Sequence, residues 1–157
     1  MASKKIERGL VVVGVDGSAH SVAALDWAAR YAAATGATVR AVFAWHYPTA
    51  AGLPPGVTPE PVRHQTEELE RHHLDDAVAQ VYPPQARDEV DAQIAYGHPS
   101  EVLIDMSKEA DLLVVGGSGH GAFTGMLLGS VSIHCVTSAF CPVTVIRGNE
   151  ASTDAGR

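Results

Sequence analysis

Residues Leu10 to Val15 form an apolar, β-branched run with no polar alternation. A strand with one wet face would alternate, so this run has to be covered on both faces, as the central strands of parallel sheets are. Leu112 to Val115 is a second short run of the same kind. Two such strands demand helices above and below them, and helical patterns lie between the apolar runs of this chain.

The first run opens into Gly14-Val15-Asp16-Gly17-Ser18, where Asp and Ser are turn and N-cap residue types. An Ala-rich amphipathic segment follows from about His20 to Thr35, with Val22, Leu25, Ala29 and Ala32 on one face and Gly36 as its stop. Thr38 to Trp45 reads as a second strand, which completes a βαβ unit with an expected right-handed crossover. From His46 to Pro61 the chain carries Pro48, Pro54, Pro55, Pro59 and Pro61, too many for helix or central strand, and an exposed loop is expected. Val62 to Val81 is a helical pattern with Leu69, Leu74, Val78 and Val81 on its expected buried face, ended by Pro83-Pro84.

Glu89 to Tyr96 alternates polar residues with Val90, Ala92, Ile94 and Tyr96, as an edge strand does. A short helix is expected from Gly97-His98-Pro99-Ser100-Glu101, with Pro near its first turn, ending before Asp111. After Leu112 to Val115 comes a glycine-rich loop, then a helix from Gly129 to about Phe140 and a last strand over Pro142 to Ile146. Alternating strands and helices specify an α/β fold, a five-stranded parallel sheet in the order 3-2-1-4-5 with helices on both faces. Residues 1–157 are read as one domain, with a core over 9–147 and a polar tail over 148–157. In such a sheet ligands sit beyond the carboxyl ends of the strands where the order reverses, here between strands one and four.

The glycine loop from Gly116 to Gly129 is therefore the chemical centre of the chain. Glycines permit close approach of a ligand, and the first N–H groups of the helix that follows have no intrahelical acceptor. An anion, phosphate above all, is the ligand such a loop suits. The chain holds 11 Lys and Arg against 18 Asp and Glu, a net charge of -7, so a nucleic-acid or anionic-membrane surface is excluded as main partner. A phosphate would be held by backbone. No apolar run has the length of a signal-peptide core or a membrane span, and a cytoplasmic protein is expected. Cys135 and Cys141 lack zinc or redox spacing and are read as two buried, reduced thiols. The eight histidines show no ligand spacing, although His120 lies inside the glycine loop.

Gly116-Gly117-Ser118-Gly119, nine residues from His120 to Leu128, and Gly129-Ser130 fit the pattern Gly, two residues, Gly, nine residues, Gly-Ser. With residues 11–18, Val-Val-Val-Gly-Val-Asp-Gly-Ser, the segment Ala-Asp-Leu-Leu-Val-Val-Gly at 110–116 and Cys-Pro-Val-Thr-Val-Ile-Arg at 141–147, the chain resembles the ATP-binding subgroup of the universal stress protein family. The resemblance spans residues 10 to 147 and implies a Rossmann-like fold of the adenine nucleotide alpha hydrolase-like type. It implies ATP, with Mg²⁺, held in a defined set of positions. Gly116, Gly119 and Gly129 would let the backbone wrap the phosphates, Ser130 and Ser132 would add donors at the helix start, and Gly117, Ser118, Gly121 and Val131 complete the ATP-binding set together with His120, which reads equally well as an anion donor or a solvent-facing loop residue. Gly14, Val15 and Asp16 would border the adenosine, with Asp16 near the ribose or the Mg²⁺, and backbone near Ala44 would read the adenine edge. Asp16 reads equally well as an N-cap or Asx turn.

The resemblance further implies a nucleotide-responsive stress sensor or regulator and a homodimer paired through Val143 to Ile146. The loop has no lysine, which a P-loop needs to stabilise a transferred phosphoryl, so little or no hydrolysis is expected and the protein is read as no enzyme. A cyclic-AMP binder of the same fold, a weak adenine-nucleotide hydrolase and a ligand-free interaction module are the alternatives.

Overall fold

A computed structural model describes residues 8–46, 54, 60–118 and 128–147 of the chain. Its elements are β1 (Leu10–Gly14), α1 (Ala19–Thr35), β2 (Thr38–Trp45), α2 (Glu60–Val81), a 3-10 helix (Pro84–Glu89), β3 (Val90–Tyr96), α3 (Pro99–Met106), β4 (Leu112–Gly116), α4 (Ser130–Ser138) and β5 (Val143–Ile146). The five strands form one sheet in the order β3-β2-β1-β4-β5, and every neighbouring pair is parallel. The expected strand order is the observed one.

Alternate residues of one strand serve two different layers, which is why β1 and β4 show no polar alternation. Val11 and Val13 join Ala24, Leu25 and Ala28 of α1 and Leu74, Ala77 and Val78 of α2 in one buried cluster. Val12 joins Val42, Leu113 and Val115 with Leu103 of α3 and Cys135 of α4 in the other. Burying one Val or Leu side chain stabilises by about 1.5–3 kcal/mol, so these two layers carry the fold. Two long helices cover one face and two short ones the other.

Helix α1 starts at Ser18, whose Oγ accepts the Ser21 N–H at 3.3 Å. Of the expected face, Leu25 is fully buried and Val22 and Ala32 pack against the core, while Ser21, Ala24 and Ala28 complete the buried stripe and Ala29 is only half-buried. In an Ala-rich helix hydrophobicity barely sets the rotation, and the small Ser21, Ala24 and Ala28 flank Leu25 on the buried face, which lets the backbones approach. In α2 the expected burial of Leu69 is overturned, since it is 54% exposed while Leu74 is fully buried. Five residues at 100° each place Leu69 about 140° around the helix from Leu74. The inward stripe passes instead through Glu70, which takes the His73 ring at 2.9 Å.

Pro83-Pro84 ends α2 as expected, but the next turn is a 3-10 helix that the proline pair concealed. Glu89 belongs to that helix, so β3 begins at Val90. Strand β1 stops at Gly14, one residue short of the apolar run, although the Val15 N–H still donates to the Val42 carbonyl at 2.9 Å. Helix α4 ends at Ser138 because Ala139 is already extended. Cys135 is buried and burial pushes its thiol up to about 11, whereas Cys141 is only half-buried, against expectation. Both are free thiols. Of the expected proline-rich loop only His46, Pro54 and the start of α2 are described, and the 148–157 tail lies outside the described residues.

Candidate functional site

Strands β1 and β4 lie side by side, with Val11 opposite Leu112 and Val13 opposite Val114. From their carboxyl ends the chain leaves toward opposite faces, into α1 after β1 and toward α4 after β4. The crevice expected at a reversal of strand order therefore opens here. Gly14 and Gly116 occupy the two strand ends. A Cβ on Gly116 would lie 2.8 Å from the backbone of His20, and one on Gly14 would lie 2.7 Å from Leu103 Cδ1. Their missing side chains let α1 and α3 close in from the two sides.

Helix α4 begins beside these glycines. Its N-cap, Gly129, has no side chain with which to cap the helix, and no side-chain cap bond is made. The Gly129 N–H donates to the Gly117 carbonyl at 2.7 Å, and the Ile133 N–H donates back to the Gly129 carbonyl at 3.0 Å. The Gly117 N–H in turn donates to the Ile146 carbonyl at 2.8 Å, tying the start of the loop to β5. The first-turn N–H groups, those of Ser130, Val131 and Ser132, have no acceptor within the helix, and the helix dipole gives that end partial positive charge. A turn so built binds anions without any basic side chain.

The anticipated site residues divide by surroundings. Ser130 is exposed, Val131 and Ser118 are half-buried, and Gly117 is buried. Ser132 is buried and its hydroxyl donates to the Gly116 carbonyl at 2.6 Å, so its proton is engaged inside the chain rather than offered outward. Asp16 is half-buried, and its Oδ1 accepts the Ser18 N–H at 2.9 Å, the geometry of an Asx turn that leads into α1. The Asp16 N–H donates to Ser21 Oγ at 3.2 Å. Val15 is buried against the same corner. Ala44 lies near the end of β2, opposite Ala95 of β3. Gly119, His120 and Gly121 lie outside the described residues.

Two histidines that the spacing argument set aside meet at this edge. His46 follows β2, His98 precedes α3, and their ring centroids are 5.3 Å apart. The signal for them was position, since each follows a strand on its carboxyl side. Among the described residues no group of three or more His, Cys, Asp or Glu is arranged to hold a metal ion, and no helix is long and apolar enough to cross a membrane.

A sequence profile described as "Universal stress protein family" matches residues 8–147. A universal stress protein of Mycobacterium tuberculosis is 35% identical over 152 residues, covering 95% of this chain and 51% of that protein. The chain thus spans about half the length of the mycobacterial relatives it matches. Among solved structures, the universal stress protein UspA from Lactobacillus plantarum superposes with a TM-score of 0.72 at 28% identity, covering 88% of this chain and 97% of that one. A universal stress protein in complex with cAMP superposes at 0.61, also at 28% identity, covering 90% and 98%.

Proposed function

The chain belongs to the universal stress protein family, and we propose that the edge formed by β1, β4 and α4 binds an adenine nucleotide, ATP with Mg²⁺ foremost. The observation that carries this reading is the start of α4, where a glycine N-cap sits hydrogen-bonded against Gly117 at the reversal of strand order. The phosphates would meet the N–H groups of residues 130–132 and the Ser130 hydroxyl, while the glycine backbone closes around them. The adenosine would lie toward Gly14, Val15, Asp16 and Ala44. Mg²⁺ is commonly held by one or two carboxylates together with phosphates and water. The ion would arrive on the nucleotide, with Asp16 as the carboxylate at the mouth.

The protein would act as a cytoplasmic, nucleotide-responsive stress sensor or regulator. The glycine loop carries no lysine to stabilise charge on a transferred phosphoryl group. Little or no hydrolysis follows. A time course of ADP release tests this, and turnover at about 1 per second or faster, the range of ordinary kinases, would overturn it. Cyclic AMP is a second candidate ligand, favoured by the complex of the solved relative with cAMP. Competition between ATP and cyclic AMP for one site decides which binds more tightly. A second copy would pair along β5, which is an outer strand of the sheet.

A further inference from the structure

Strand β2 outruns its neighbour β1. Gly14, the last residue of β1, lies opposite Val42, whereas Trp45 is still paired with Tyr96 and its carbonyl accepts the Gly97 N–H at 2.8 Å. At about 3.3 Å per residue, the ends of β2 and β3 stand about 10 Å beyond the floor of the crevice and form a wall beside it. By strand alternation, the surface of this wall on the Val42 side carries Ala44 opposite Ala95, then Gly97 at the top. Both alanines are half-buried, and the Val102 side chain of α3 lies against Gly97 on this side. The result is a narrow apolar edge at the ends of β2 and β3, bounded on one side by Val102 of α3.

His46 and His98 stand at its rim with rings tilted by 32°. His98 is not a loose surface side chain, because its Nδ1 lies 2.9 Å from the hydroxyl of Ser100, a buried residue in the first turn of α3. The opposite side of the same strand ends is stiffened by Trp45 packed edge-on against Tyr96 at 5.0 Å, with the Arg63 guanidinium over the Tyr96 ring. An exposed pair of oriented rings beside an apolar edge suits a planar heteroaromatic ring, since base and side-chain rings gain by stacking. We propose that His46 and His98 hold the base of the bound nucleotide by stacking and so determine how tightly a base-bearing ligand is kept. The proposal rests on the nucleotide reading above and extends it to two side chains outside the glycine loop.

The test is an equilibrium titration of ATP into the full chain and its His46→Ala, His98→Ala and His46→Phe variants, with thermal melting as the control for folding. His46→Ala and His98→Ala are expected to weaken ATP about fivefold or more. His46→Phe, which keeps a ring, is expected to bind within about twofold of the wild type. If the wild type binds ATP and His46→Ala matches it, or His46→Phe is as weak as His46→Ala, the stacking role is overturned while the nucleotide reading stands. If the wild type binds no ATP, both fall together.

Discussion

Ser130 and Ser132 sit two positions apart at the start of one helix in different surroundings. Ser130 is exposed at the mouth of the crevice, whereas Ser132 is buried and donates to the Gly116 carbonyl. Ser130→Ala should weaken ATP by about 1.5–3 kcal/mol, the range for a hydrogen bond to a charged group, and leave urea unfolding unchanged. Ser132→Ala should instead lower unfolding free energy by about 1–3 kcal/mol, because a buried acceptor loses its donor. If the two substitutions gave the same pattern, the division of labour would be wrong. This distinction was within reach of the residues alone, since Ser132 lies one turn before the apolar Cys135 and so on the inward face. Asp16 shows the opposite limit. Turn former and ligand contact require the same residue type, and only the 2.9 Å bond to the Ser18 N–H reveals the first role.

Strands were the most legible elements, because β1, β2 and β4 are defined by apolar runs whose length and composition admit few alternatives. Helix rotation was harder to read wherever the apolar residues were sparse or small. In α2 the leucines at 69 and 74 look equivalent in sequence, but their burial is opposite. Leu74→Ala should therefore cost about 2–5 kcal/mol of stability, and Leu69→Ala less than about 0.5 kcal/mol, both measured by denaturant unfolding. Comparable losses would contradict the observed rotation of the helix. The 3-10 helix after Pro84 escaped notice because prolines that stop an α-helix are compatible with a new turn immediately afterwards. At the other edge of the sheet, β5 is an outer strand, and Ile133, Val136 and Phe140 are exposed on and just after α4. Open strand edges and apolar patches favour association. Sedimentation of the wild-type chain at micromolar concentration should give a dimer's mass, and a monomer throughout would refute pairing along this edge.

Across the whole molecule, one arrangement connects fold and site. A parallel sheet covered on both faces reverses its order between β1 and β4, and the glycines that let α1 and α3 approach closely stand at those strand ends. The reversal of strand order was legible from the order of elements, while the overhang of β2 and β3 beyond β1 was not, because it depends on the register between strands. With a net charge of -7 the chain would repel a polyanion at long range. The proposed phosphate contacts are local N–H groups, which that long-range charge does not remove. The most direct measurement is calorimetric titration of nucleotide-stripped protein with Mg·ATP, alongside Ser130→Ala. Saturable binding at one site per chain, weakened at least tenfold in the variant, is the predicted result. The absence of saturable binding up to millimolar ATP, or equal affinity in the two proteins, would contradict a phosphate site at the start of α4.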